Sequence, residues 1–324
     1  MSDTKYAYAV ARIRALENGL FSSAQIEQLL SVKSYEGALR FLTEHGWGDA
    51  DTPLSAEAIL TREKAKSWET VRDLLKGDDA ILAVLSYGDL YHNLKAAIKD
   101  AAAPGSHGNV YFDDCEVDGA RMSKIVAEKD WQALPAHMRE AAKEASETFL
   151  HTGDGQLCDI IVDRSALAAI YECGKNASDA ISRDYAETTV AVADIKIAVR
   201  SQKTGKHLDF MRRAMAPCDS LNIERLSQAA LGGVGAICEY LEGTRYGGGA
   251  QALKESPSAF ERWCDNQLIE TIKPQKYNPF TAGPLVAYIL AKENEIKTVR
   301  IILTCKQNGL GDDAIRERVR EMYV

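Results

Sequence analysis

Long apolar runs are missing from this chain. The stretches 80–85 and 285–291 are typical, and neither approaches the roughly 20 residues that a membrane span needs. The opening residues, Met1-Ser2-Asp3-Thr4-Lys5-Tyr6, hold no apolar signal-peptide core. Together these predict a chain made and kept in the cytosol. Aromatics are scarce at 7%, and there are only 8 prolines in 324 residues, while alanine is plentiful. That composition leans away from β-sandwiches and barrels and towards helix. Acidic residues outnumber basic ones, 47 to 39, for a net charge of −8. Such a balance argues against a broad nucleic-acid surface.

Paired cysteine and histidine motifs are missing too. The seven cysteines are Cys115, Cys158, Cys173, Cys218, Cys238, Cys264 and Cys305, with no CxxC among them. Reduced, mostly buried thiols are the expectation. The six histidines form no HExxH or HxxxH pair, which leaves a zinc site without support. Nucleotide motifs fail as well. Gly174-Lys175 is followed by Asn176 and Gly205-Lys206 by His207, where a P-loop needs Ser or Thr. Gly232-Gly233-Val234-Gly235 lacks the third glycine of a dinucleotide fingerprint. Gly247-Gly248-Gly249 reads as a loop tip. The adjacent carboxylates Asp113-Asp114 and Asp312-Asp313 sit beside turn residues. The second pair reads as the cap and first-turn charge of a helix after Gly311. No cofactor is expected.

What is present is helical periodicity along nearly the whole chain. Hydrophobic residues make up 46%, enough for a substantial core. Helices are expected over 6–18, from Ser22-Ser23 to Leu30, from Ser34 to near Gly46, and over 55–75, with Glu57, Glu63 and Glu69 among the solvated charges. Further helices are expected over 122–130 and 135–150, and two long ones over 159–200 part near Gly174. The runs 110–112 and 159–162 read as loop or helix. Breaks fall at 104–108, 151–155 and 243–249. Pro284 suits the first turn of a last long helix. In it, Leu285, Ile289, Ile296, Val299 and Leu303 form one stripe, and Glu293 and Lys297 an i,i+4 pair.

An internal repeat runs beneath this pattern. Asn93-Leu94-Lys95-Ala96-Ala97, Asp194-Ile195-Lys196-Ile197-Ala198 and Glu295-Ile296-Lys297-Thr298-Val299 each read polar, Leu or Ile, Lys, any residue, small apolar. The three lysines are 101 residues apart in both intervals. Asn18-Gly19-Leu20 and Asn308-Gly309-Leu310 echo each other as a helix-joining turn. Three helical units of about a hundred residues in series are expected, with domains at 1–106, 107–207 and 208–324. Three such units commonly surround a pseudo-threefold axis as a ring or cup. Two readings of Lys95, Lys196 and Lys297 follow. Each lysine snorkels from its helix and pairs with a carboxylate such as Glu293, or the three ring an inner surface and meet an acidic partner.

The C-terminal segment Pro284-Leu285-Val286-Ala287-Tyr288-Ile289-Leu290-Ala291-Lys292-Glu293-Asn294-Glu295-Ile296-Lys297-Thr298-Val299-Arg300-Ile301-Ile302 resembles the signature of the C-subunit family of V-type (A/V-type) ATPases, the prokaryotic counterpart of the d-subunit of the eukaryotic vacuolar ATPase. The stretch 8–20, with Arg12 and Arg14, resembles its opening helix, and Tyr91-His92-Asn93-Leu94-Lys95 its first repeat motif. The resemblance implies an all-α fold with three similar domains in a pseudo-threefold funnel. It implies a non-catalytic rotor component that seats the central shaft, made of the D and F subunits, on the membrane proteolipid ring and transmits torque. It also implies one copy per complex, a peripheral position on the cytoplasmic side of the membrane, and a chain monomeric when alone. The partner-binding candidates are Lys95, Lys196, Lys297, Arg245 and Tyr246, the last two on a candidate rim loop. The alternatives are a stand-alone helical scaffold for another cytosolic protein, and a helical hydrolase built on Asp113 and Asp114.

Overall fold

The computed structural model describes residues 5–102, 111–112 and 114–324. Among these the regular structure is helical, with no strand, so the fold is all-α. Four helices open the chain: α1 (Ala7–Glu17), α2 (Ser23–Ser31), α3 (Tyr35–Glu44) and α4 (Ala56–Leu75). Next come α5 (Ala83–Ala102), α6 (Gly119–Glu128), α7 (Arg139–Thr152), α8 (Gly155–Lys175), α9 (Ala180–Lys203), α10 (Leu208–Ala214), α11 (Ile223–Gly232) and α12 (Val234–Glu242). The chain closes with α13 (Gly247–Glu255), α14 (Pro257–Ile272), α15 (Gly283–Gln307) and α16 (Asp312–Arg316). No helix among the described residues is long and apolar enough to cross a membrane. The break at 104–108, Val110 and Asp113 lie outside the described residues.

Short polar side chains start several of the helices, because each satisfies an N–H that has no partner inside its helix. Ser22 and Gln25 form a reciprocal capping box at α2. The Ser34 hydroxyl accepts from the Gly37 N–H at 3.0 Å, Ser55 from Ala58 at 3.3 Å, and Asn222 from Arg225 at 2.9 Å. At α16 the N-cap is Gly311, and Asp312 and Asp313 supply the first-turn charge.

Two compact units divide the chain. The first gathers residues up to 81, residues 179–181 and residues 248–324. Its centre is α15, which packs on α4, α14 and α1. Phe21, Ile26, Leu29, Leu30, Leu39, Leu42, Ile59 and Leu60 meet Ile296, Val299, Ile302 and Leu303 in one core. Each such side chain, fully buried, contributes about 1.5–3 kcal/mol. The two ends of the sequence therefore build a single core. The expected stripe on α15 is buried throughout, yet burial extends further, since every residue from 283 to 292 is buried.

The second unit holds residues 82–178 and 182–247. Here α5 packs on α8 and α6, and α7 on α8. Leu90, Tyr91, Leu94, Ala97 and Ile98 form the buried face of α5 at helical spacing. They meet Met122, Ile125, Cys158 and Val162. The Tyr91 hydroxyl donates to the His137 carbonyl at 3.0 Å.

Several local expectations are corrected. Gly247-Gly248-Gly249 is the first turn of α13, not a loop tip. A Cβ on Gly249 would stand 2.8 Å from the Trp263 ring, and one on Gly248 2.9 Å from its Nε1. These glycines let the indole lie against helix backbone. The two Asn-Gly-Leu turns also differ. Gly309 is left-handed, at φ 70°. Gly309 N–H donates to the Lys306 carbonyl and Leu310 N–H to the Cys305 carbonyl, both at 3.0 Å, in a Schellman pair. Gly19 instead continues in tight i→i+3 turns, and Leu20 is buried where Leu310 is exposed. The helix expected over 135–150 begins at Arg139, after a short 3₁₀ turn at Ala136–Met138. Glu63 is buried, not solvated.

Candidate functional site

Lys95 lies on α5 and its ammonium pairs with Asp163 of α8 at 2.7 Å. One turn on, Lys99 pairs with Asp159 at 2.6 Å. Lys297 lies on α15 and pairs with Asp265 of α14 at 2.8 Å. Asp265 also accepts from Arg320 Nε at 2.7 Å. Lys196 is half-buried on α9. Partly exposed ion pairs of this kind contribute about 0–1 kcal/mol each. Glu293, the expected partner of Lys297, accepts a hydrogen bond from Trp68 Nε1 at 3.0 Å.

Arg245 and Tyr246 sit between α12 and α13 and face different surroundings. The Arg245 guanidinium is exposed; it lies 5.0 Å from the Tyr246 ring centroid, and its Nη2 donates to Thr188 Oγ1 at 3.3 Å. Tyr246 is 2% exposed, with its hydroxyl 2.9 Å from Ser220 Oγ. Burial pushes its pKa up. Ser220 is itself anchored, since its N–H donates to Glu187 at 2.8 Å. A cavity of about 390 Å³ beside this link is lined by Lys175, Arg183, Asp184, Glu187, Asp219 and Arg245. A larger groove, about 950 Å³, runs along α11 and α12 past Glu224, Arg225, Gln228, Glu239 and Tyr240. Charges of both signs line each. Cys218 borders the larger groove, but burial pushes its thiol up to about 12, which leaves almost no thiolate near neutral pH.

A buried polar constellation lies inside the first unit. Lys292 Nζ is 2.7 Å from Glu295 Oε2 and 3.0 Å from Glu63 Oε2. Glu63 also contacts Lys66 and accepts from the Gly48 N–H at 3.0 Å. Glu295 accepts from the Phe21 N–H. The Lys292 ammonium lies 4.3 Å from the Trp47 ring centroid. Burial opposes the charge on Lys292, but Glu295 and Glu63 outweigh it and raise its pKa. Burial pushes the Glu295 carboxyl up, against the pull of Lys292 and the Phe21 N–H. Residues from 21 to 66 are thereby tied to the helix near the other end of the sequence.

None of Glu63, Lys292 and Glu295 is among the partner-binding candidates read from the sequence. A signal for Lys292 existed. The stripe Leu285, Ile289, Ile296, Val299, Leu303 skips one heptad position, and Lys292 fills it.

Lys292 and Glu295 of this constellation fall within the segment 284–302, and likeness to known proteins runs through nearly all of the chain. Residues 9–318 match the family described as ATP synthase (C/AC39) subunit. The C-subunit of the A-type ATP synthase of Methanothermobacter thermautotrophicus is 24% identical over 349 residues, covering 96% of this chain and 87% of that one. Its namesake from Haloferax volcanii is 24% identical, covering 95% of each. The C-subunit of the V-type sodium ATPase of Enterococcus hirae is 20% identical, covering 82% of each. With 16 α-helices and no strand among the described residues, and a family match spanning all but the two ends of the sequence, the chain belongs to the ATP synthase (C/AC39) subunit family.

Proposed function

We propose that the chain is the non-catalytic coupling component of a rotary ATPase, seating the central shaft, made of the D and F subunits, on the membrane proteolipid ring and passing torque between them. The observation that carries this reading is the family match over residues 9–318, together with relatives named as the C-subunits of A-type ATP synthases and of a V-type sodium ATPase. The reading includes a peripheral position on the cytoplasmic side and one copy per complex. It also includes three similar domains, 1–106, 107–207 and 208–324, arranged as a funnel, for which the 101-residue spacing is the support. A part that passes torque must not shear internally. The buried Lys292–Glu63–Glu295 cluster supports that requirement, because it ties distant stretches of chain through charges that are costly to separate.

Mass spectrometry of what co-purifies with the chain from mildly solubilised membranes tests the reading. Shaft proteins and a proteolipid ring, at one copy of this chain per complex, are the expected result. Recovery only from the soluble fraction, without other ATPase components, overturns it and favours a stand-alone scaffold. Arg245→Ala should then weaken assembly while leaving the fold within about 0.5 kcal/mol, as for other exposed positions. Unchanged assembly removes that residue from the interface. Tyr246 is the wrong probe, since its buried ring serves the fold.

A further inference from the structure

The repeated pattern that carries Lys95, Lys196 and Lys297 has a polar residue at its first position. These residues, Asn93, Asp194 and Glu295, are 101 apart in both intervals, and each is fully buried, at 0% exposure. Each reaches out of its own helix to a backbone N–H. Asn93 Oδ1 accepts from Phe112 at 2.9 Å, and its amide donates to the Phe112 carbonyl at 2.7 Å. Asp194 Oδ1 accepts from Ala216 at 3.1 Å. Glu295 Oε1 accepts from Phe21. In each case a long helix holds a non-helical segment that lies elsewhere in the sequence.

The three differ in charge, and the position one turn earlier answers that difference. It holds Leu90, Ala191 and Lys292. Asn93 is neutral and needs no counter-charge. Glu295 has Lys292 at 2.7 Å. Asp194 has only Ala191 there. The charged groups that face Asp194 are Arg164 of α8, Glu187 of its own helix and, among titratable groups, the Cys218 thiol that follows α10. Arg164 Nε is committed to the Met215 carbonyl at 3.1 Å. Among the described residues the buried Asp194 Oδ2 has no hydrogen-bond partner, so a charge on that atom would be offset only in part, by Arg164.

We propose that Asn93, Asp194 and Glu295 are three copies of one latch, and that the middle copy works as a neutral carboxylic acid whose ionisation weakens the fold of the second unit. Burial pushes the Asp194 carboxyl up to about 8, with the Ala216 N–H and Arg164 pulling it back and Glu187 pushing it further. An unfolded aspartate ionises near 3.9. Between those values the folded chain keeps a proton that the unfolded chain has lost, so stability falls as pH rises and levels off above about 8.

The test is urea unfolding of the full chain from pH 5 to 9, beside Asp194→Asn. The amide keeps an acceptor for Ala216 and carries no charge. The ratio of the unfolding constants, wild type over D194N, should grow by roughly tenfold per pH unit up to about pH 8 and then stay flat. Parallel pH profiles overturn the neutral-acid assignment. Should D194N not fold, infrared spectroscopy of the wild type with labelled aspartate decides the same point. A protonated carboxyl persisting at pH 7 supports it, and a spectrum of carboxylates alone overturns it. Amide exchange tests the latch itself. Asp194→Leu should speed exchange at Ala216 while leaving Phe112 protected, and Asn93→Leu should do the reverse. Unaltered protection at both amides removes the latch role.

Discussion

Replacing Lys292 by methionine keeps most of the side-chain volume and removes one buried cation. Glu295 and Glu63 lie 2.7 and 3.0 Å from the ammonium, and both are at least 95% buried. Lys66 still contacts Glu63, so Glu295 is the carboxylate left uncompensated. Removing one partner of a buried pair costs about 3–5 kcal/mol. Loss of the Trp47 contact adds up to roughly 2 kcal/mol. Against a total stability of about 5–15 kcal/mol, the first unit should be close to unfolding. The second unit contains neither the lysine nor its partners, so circular dichroism should show a partial loss of helix in urea before the main transition. The double variant Lys292→Met with Glu295→Gln removes both charges and should recover most of the loss, because apolar or neutral replacements of buried pairs are often tolerated. Glu295→Gln keeps a side-chain carbonyl for the Phe21 N–H. A loss below about 1 kcal/mol for Lys292→Met would refute the reasoning, since it would mean that Glu295 is not left as a buried charge.

Two further outcomes follow from close packing and burial. A Cβ on Gly174 would stand 2.2 Å from the Ala186 Cβ and 2.8 Å from the Ser182 carbonyl, so Gly174→Ala should part α8 from α9 and cost about 1–3 kcal/mol in urea unfolding; an unchanged midpoint would disprove the close approach. Half-buried Cys218, with its thiol pushed up to about 12, should react slowly with a disulfide reagent at pH 8 in the folded chain and far faster in denaturant; equal rates would contradict the raised thiol.

The helix starts were legible because a cap is a local device. Ser22, Ser34 and Ser55 act on backbone only three residues away. Ser34 and Ser55 stand in the sequence just ahead of the runs they begin. The long α15 was legible from Pro284 and its apolar stripe. Partners supplied by remote chain were not. Glu63 looks like any charge on an amphipathic helix until Lys292 arrives from the far end of the sequence. Tyr246 looks like a loop aromatic until Ser220 and its neighbours close over it. Gly247-Gly248-Gly249 carries every mark of a flexible turn, and only the Trp263 indole explains why glycines open a helix there. In the repeat the lysines drew attention as the shared charged position. The buried, bond-forming position was the variable one before them, where Asn, Asp and Glu share acceptor oxygens rather than identity.

The first unit joins residues up to 81 with residues 248–324, and this sets a schedule for synthesis. The stretch bearing Phe21, Leu29, Leu42 and Ile59 leaves the ribosome well before its packing partners on α15, with the second unit between them. All of the second unit is made in between. At roughly 5–20 residues per second, the early segment waits on the order of tens of seconds with apolar faces uncovered. The second unit can close upon itself during that interval. The apolar faces of these first helices stay uncovered until α15 is made to pack on them.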